Sequence, residues 1–204
     1  MSPGGGSPPR VECGAMTNKG ALGRLLAYTT WANHRVMRAA VVLSPMDFRK
    51  DMGSSHGGVR GTLAHMLSSE WLWLERFKGV SPDKPVDESV FPDLMSLRDR
   101  WTAIEAHRDS WFDGLPEDAV SRRIHYRTLA GLELLAPLWQ LIQHVANHAT
   151  YHRGQVITLL RVLGVAAPTT DLVLWDRERL AAKAREAERH QEPEGGGEPA
   201  SRTP

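Results

Sequence analysis

A single cysteine, Cys13, stands in 204 residues, so no intramolecular disulfide can form. That suits a reducing cytoplasm, where the chain is expected to work. It also removes thiolates from the metal ligands to be considered, leaving histidines and carboxylates. No apolar run approaches the length of a membrane span, and the first residues lack the apolar stretch of a secretory signal. An excess of one charge is missing too: 25 Lys and Arg against 24 Asp and Glu leave +1. Such a balance gives no long-range pull toward nucleic acid. Neither membrane nor nucleic acid is therefore an expected partner.

Both ends are poor in residues that build a core. MSPGGGSPPR and QEPEGGGEPASRTP are rich in Gly, Pro, Ser and charge, and bury too little to offset their ordering entropy. The expected organisation is a disordered head over 1–16, one helical domain over 17–190 and a disordered tail over 191–204.

Within the domain, apolar residues recur at helical spacing. A first helix is expected from Thr17 to Leu43, capped by Thr17 or Asn18 and ended by Ser44-Pro45. A second runs from Val59 to Lys78 with Leu63, Met66, Leu67, Glu70, Leu74 and Phe77 on one face, closed by Gly79. A third spans Pro92 to Gly114. Ile124, Tyr126 and Thr128 alternate, as do Leu132 and Leu134, so a short β-hairpin turning at Ala130-Gly131 is expected. A fourth helix starts at Pro137 and stops at Gly164. The class is all-α, a four-helix bundle with a short hairpin before the fourth helix. A charged helix follows, from Asp171 to His190.

The fourth helix carries QHVANHATYHRGQ, a ladder of His144, His148 and His152 at steps of four. Each step turns about 400°, so neighbours share a face and two can share one ion. A lone pair at this spacing is a weak signal and reads first as ordinary polar helix residues or hydrogen-bonded core histidines. Several buried imidazoles, however, would each need a partner and would repel when protonated, and a metal removes both costs. A straight ladder cannot wrap one ion, so a third ligand must come from another helix. His65, in the apolar stripe of the second helix, is the best candidate. Glu70, five residues on and about 140° around, suits a supporting role behind the ligands rather than a ligand. His34, His56, His107, His125 and His190 read as surface or helix-packing residues. Gly154, mid-helix, suggests close packing against another helix. Arg153 could meet a carboxylate or a substrate anion. Because imidazole binds metal when neutral, affinity is expected to fall below about pH 6.5.

Asn147-His148 with His152-Arg153-Gly154-Gln155 resembles the signature of the DinB/YfiT-like proteins. Tyr28-Thr29-Thr30-Trp31-Ala32-Asn33 is similar to that family's opening helix, as are Leu63-Ala64-His65 with Glu70-Trp71 and the stretch from Tyr126 to Pro137. The resemblance covers Gly20 to Trp175. It implies a bundle whose middle helices are joined by a long crossover, and a homodimer. It implies a metal held by His65, His148 and His152, with His144 in a pocket role beside Asn147 and Arg153. Three His with an open position suit a catalytic ion, Zn²⁺ first, with Ni²⁺ or another transition metal as alternatives. Related branches use low-molecular-weight thiols. The function implied is thus a metal-dependent hydrolase or a thiol-dependent transferase; the alternative is a non-enzymatic metal-binding stress-response protein.

Overall fold

Asn18 opens the first helix, α1 (Lys19–Ala40): its side-chain oxygen accepts from the Ala21 amide at 2.7 Å. The computed structural model describes residues 18–191; Cys13, Thr17, the Gly/Pro-rich head and the tail from 192 lie outside the described residues. Ser44-Pro45 does more than stop a helix. α1 has already ended at Ala40, and Ser44 caps a short helix, α2 (Pro45–Arg49), with Pro45 in its first turn where no N–H is needed.

α3 spans Val59–Phe77, α4 Leu94–Asp113 and α5 Leu138–Val162. Asp93 caps α4 through the Ser96 amide at 2.8 Å. Gly79 and Gly164 follow α3 and α5 at positive φ, a conformation that a side chain would strain. Strands β1 (Arg123–Arg127) and β2 (Glu133–Pro137) pair antiparallel, with Tyr126 opposite Leu134, as the alternation suggested. The chain divides into two compact units, one through Pro168 and one from Thr169. The second contains α6 (Leu172–Gln191), where Arg179 lies over the Trp175 ring at 5.5 Å and pairs with Asp176 at 3.7 Å. Among the described residues, no helix is long and apolar enough to cross a membrane.

In the first unit, the link 78–93 doubles back along α3. The Val86 amide donates to Ser68 Oγ at 2.8 Å, and Glu88 pairs with Arg60 at 3.2 Å in α3's first turn. α4 therefore begins where α3 began, and the two run parallel; their last turns meet where Phe77 stacks on Trp111 at 5.5 Å. This is the long crossover. α1 runs the other way, since Lys19 at its start donates to the Asp113 carbonyl at α4's end (2.9 Å). α5 runs with α1.

Two apolar clusters fill the two ends. One joins Leu22, Leu26, Phe77, Phe112, Leu138 and Ile142; the other joins Val36, Leu63, Leu67, Trp101, Val156 and Leu160. Burying each such Leu, Ile, Val or Phe contributes about 1.5–3 kcal/mol. Between the clusters lies a buried polar network. Glu70 accepts from Asn33 Nδ2 at 2.7 Å and from Arg108 Nη1 at 3.0 Å. Arg153 donates to Asn33 Oδ1 at 3.0 Å, Thr150 Oγ1 at 2.6 Å and the Tyr28 hydroxyl at 3.3 Å. Four helices are thereby held in register.

Candidate metal centre

α5 is amphipathic along its length. It buries Val145, Ala149, Val156 and Leu160, and this sets the flank carrying His148 and His152 against α3. His65 arrives on α3 from the opposite side. Its Nε2 lies 3.3 Å from His148 Nε2, which lies 3.1 Å from His152 Nε2. The three ring planes are inclined to one another by 51°, 61° and 70°, so they converge from different directions.

These contacts cannot all be hydrogen bonds. His152 Nδ1 lies 2.7 Å from Gln155 Oε1, an acceptor, so the ring carries its proton on Nδ1 and turns the Nε2 lone pair inward. If His148 Nε2 carries a proton, it donates to one neighbour. If it does not, its lone pair faces that of His152. A cation would satisfy all three nitrogens at once. A tetrahedral ion with Zn–N bonds of about 2.05 Å sets its donors about 3.3 Å apart, close to the spacing found here. The donor set fits a divalent metal.

Two of the rings, His65 and His148, are also kept neutral, the form that binds metal. Burial, together with the neighbouring imidazoles, lowers His65 to about 4 and His148 to about 3.

His56 was expected on the surface, yet it is half-buried at the same site. A ring nitrogen of His56 lies within 4.8 Å of those of His65 and His152. The reason is backbone packing. A Cβ on Gly61 would sit 2.0 Å from the His56 carbonyl, so only glycine lets the 51–58 loop lie on α3's first turn. Gly57 turns that loop at φ 73°. The rings of His56 and His65 stack at 3.9 Å and 14°. Stacked rings aim their in-plane lone pairs along near-parallel planes, which makes these two a poorer pair for one ion than inclined rings. His148 thus joins His65 and His152 through short Nε2 contacts, while His56 joins the same two within 4.8 Å, so four histidines gather at one point.

Other candidates fall in different places. His144 is partly exposed, edge-on to Trp73 at 5.1 Å and 5.8 Å from His148, with its pKa lowered by burial of the rest of the ring and by the Arg76 charge. Asn147 is exposed. Glu70 points into the interior network, where burial raises its pKa against the pull of Arg108. Arg153 is buried with Asn33, Thr150 and Tyr28, so its guanidinium is not offered to an anion. Gly154 meets nothing within 4 Å, so close helix packing does not account for it. His34 pairs with Glu105 at 2.7 Å, and His125 with Glu133 at 3.3 Å. His107 is exposed.

The sequence contained signals for both missed partners. Gln155 lies three residues after His152, on the same helix face. His56 sits in a Gly-rich loop ahead of Gly61, which marks a close backbone approach. A cleft of about 450 Å³ opens beside His56 and His65, lined also by Ser68, Lys84, Asp87 and Glu88.

A family model described as DinB family matches residues 16–188. The curated Protein DinB of Bacillus subtilis (strain 168) is 20% identical over 159 residues, 74% of this chain and 91% of its own length. The crystal structure of a DinB-like protein from Bacillus cereus ATCC 10987 has a TM-score of 0.59 at 15% identity, over 75% of this chain and 97% of that one. At that identity the likeness speaks for the fold.

Proposed function

This chain belongs to the DinB family, and from that premise we propose that it is a metal-dependent enzyme whose divalent ion is held by His65, His148 and His152. Zn²⁺ suits three neutral imidazoles, and Ni²⁺ suits them too. The observation that carries the reading is the pair of short Nε2 contacts, 3.3 and 3.1 Å, that the protein's own protons cannot both satisfy. A bound ion would supply Lewis acidity and lower the pKa of a water or thiol beside it. The chain's own part is to aim and to admit. Gln155 holds the His152 tautomer, and the cleft past His56 gives a small molecule access. The reaction class proposed is hydrolysis, or transfer onto a low-molecular-weight thiol. A homodimer is part of the same proposal, to be read from sedimentation.

A second reading is a non-enzymatic metal-binding stress-response protein. It is favoured by the placement of Glu70, whose two oxygens are taken by Asn33 and Arg108, leaving it unfit as a base at the histidines.

Metal analysis on gently purified protein tests the common part. About one ion per chain is expected, lost in His148→Ala; failure to bind any metal sinks both readings. Panels of esters and of electrophiles with thiols, each with and without chelator, then separate them. Metal-dependent turnover supports the enzyme, and a fully loaded but inert protein supports the second reading.

A further inference from the structure

Three arginines of the bundle are buried, and they are not equally partnered. Arg108 binds Glu70 and Asp109. Arg153 binds Asn33, Thr150 and Tyr28. Arg76 is only 6% exposed, yet among the described residues no carboxylate or carbonyl meets its side chain; its Nε, like that of Arg153, has no hydrogen-bond partner. Its guanidinium lies over the rings of Trp73, at 4.7 Å, and Tyr126, at 5.6 Å. Aromatic faces recover part of the lost hydration of a cation but accept none of its N–H bonds in the plane. Held this way, the guanidinium keeps its outer nitrogens open to water or to an anion.

Its position relative to the histidines matters. Arg76 follows His65 by eleven residues on α3, about three full turns and roughly 16 Å, so the two share a face. The wall between them is continuous: Arg76 on Trp73, Trp73 against His144 at 5.1 Å, His144 beside His148 at 5.8 Å. His144 is exposed, so this wall opens to solvent at that end.

We propose that Arg76 is the binding residue for the carboxylate tail of a small molecule whose other end reaches His65, His148 and His152. This rests on the metal reading above. The aromatic wall suits an apolar spacer, and one guanidinium matches a monoanion. The third histidine of the ladder then lines the path between the two ends.

Calorimetry on the zinc-loaded protein tests this, using monohydroxamates of α,ω-dicarboxylic acids of increasing length against alkyl hydroxamates of matched length. In wild type, one length range of the carboxylate series is expected to bind about tenfold more tightly than its alkyl match. Arg76→Gln should abolish that preference while metal content and alkyl hydroxamate affinity stay unchanged. Equal affinities at every length, or a preference that survives Arg76→Gln, overturns the subsite alone. Absence of zinc uptake overturns the metal reading and this inference together. Should Arg76→Gln fail to fold, the wild-type length profile decides: a peak supports the subsite and a flat profile removes it.

Discussion

Two polar clusters lie side by side in this bundle, the Asn33–Glu70–Arg108–Arg153 network and the His65–His148–His152 cluster. In the first, donors face acceptors: Arg108 and Asn33 donate to Glu70, and Arg153 donates to Asn33. In the second, ring nitrogens crowd one point with too few protons among them. The first is complete within the protein and holds helices together. The second is left incomplete by the protein's own donors and acceptors and is compatible with a metal ion. Burial alone does not tell a structural polar group from a functional one; the donor and acceptor balance does.

The contrast can be broken most severely on the network side. Arg108→Met strands a buried carboxylate and should cost about 3–5 kcal/mol, a fall of roughly 6–20 °C in thermal unfolding. Metal content per folded chain should be unchanged, and its loss would show that the two clusters are one unit. The histidine side should break the opposite way. Metal-free His148→Ala removes one of the crowded nitrogens, so its unfolding free energy should lie within about 1 kcal/mol of wild type.

Gln155→Leu sharpens the picture, because it frees the His152 tautomer without touching a ligand. Metal affinity should drop about 10- to 100-fold in a competition titration; no change would mean that His152 needs no such support. Acid gives a further measure. The unfolded chain protonates its imidazoles near 6.5, whereas His65 and His148 are held at about 4 and about 3 when folded. The unfolded state thus binds more protons between those values, and metal-free stability should decline as pH falls from about 6.5 toward 4. At these two rings, burial shifts proton competition for a metal below the 6.5 of free imidazole. Melting curves of chelated protein that stay flat from pH 7 to 5 would refute the burial argument. The smallest effect belongs to His56→Ala. Its ring stacks on His65, a poorer pairing for one ion, so metal affinity should change by less than about threefold, and a larger loss would make His56 a ligand.

Much of this molecule is written in local pattern. Helical periodicity located α1, α3, α4 and α5 to within a few residues, because each buries a stripe long enough to read. Steps of four placed His148 and His152 on one face, because a helix repeats its direction every turn. The hairpin announced itself by alternation. Only tertiary structure decided the remainder. Ser44-Pro45 turned out to begin a helix as well as follow one, since a cap and a stop use the same residues. Glu70 shares α3 with His65 but faces Arg108, since the rotation between them carries it to another neighbour. Arg153 follows a candidate ligand directly yet points into the interior. His56 reaches the site because Gly61 lets backbone lie on backbone, and such a contact has no period in the chain. The parallel course of α3 and α4 comes from a link that doubles back. Spacing along a helix fixes direction within that helix, whereas the partner in that direction is set by how the helices pack.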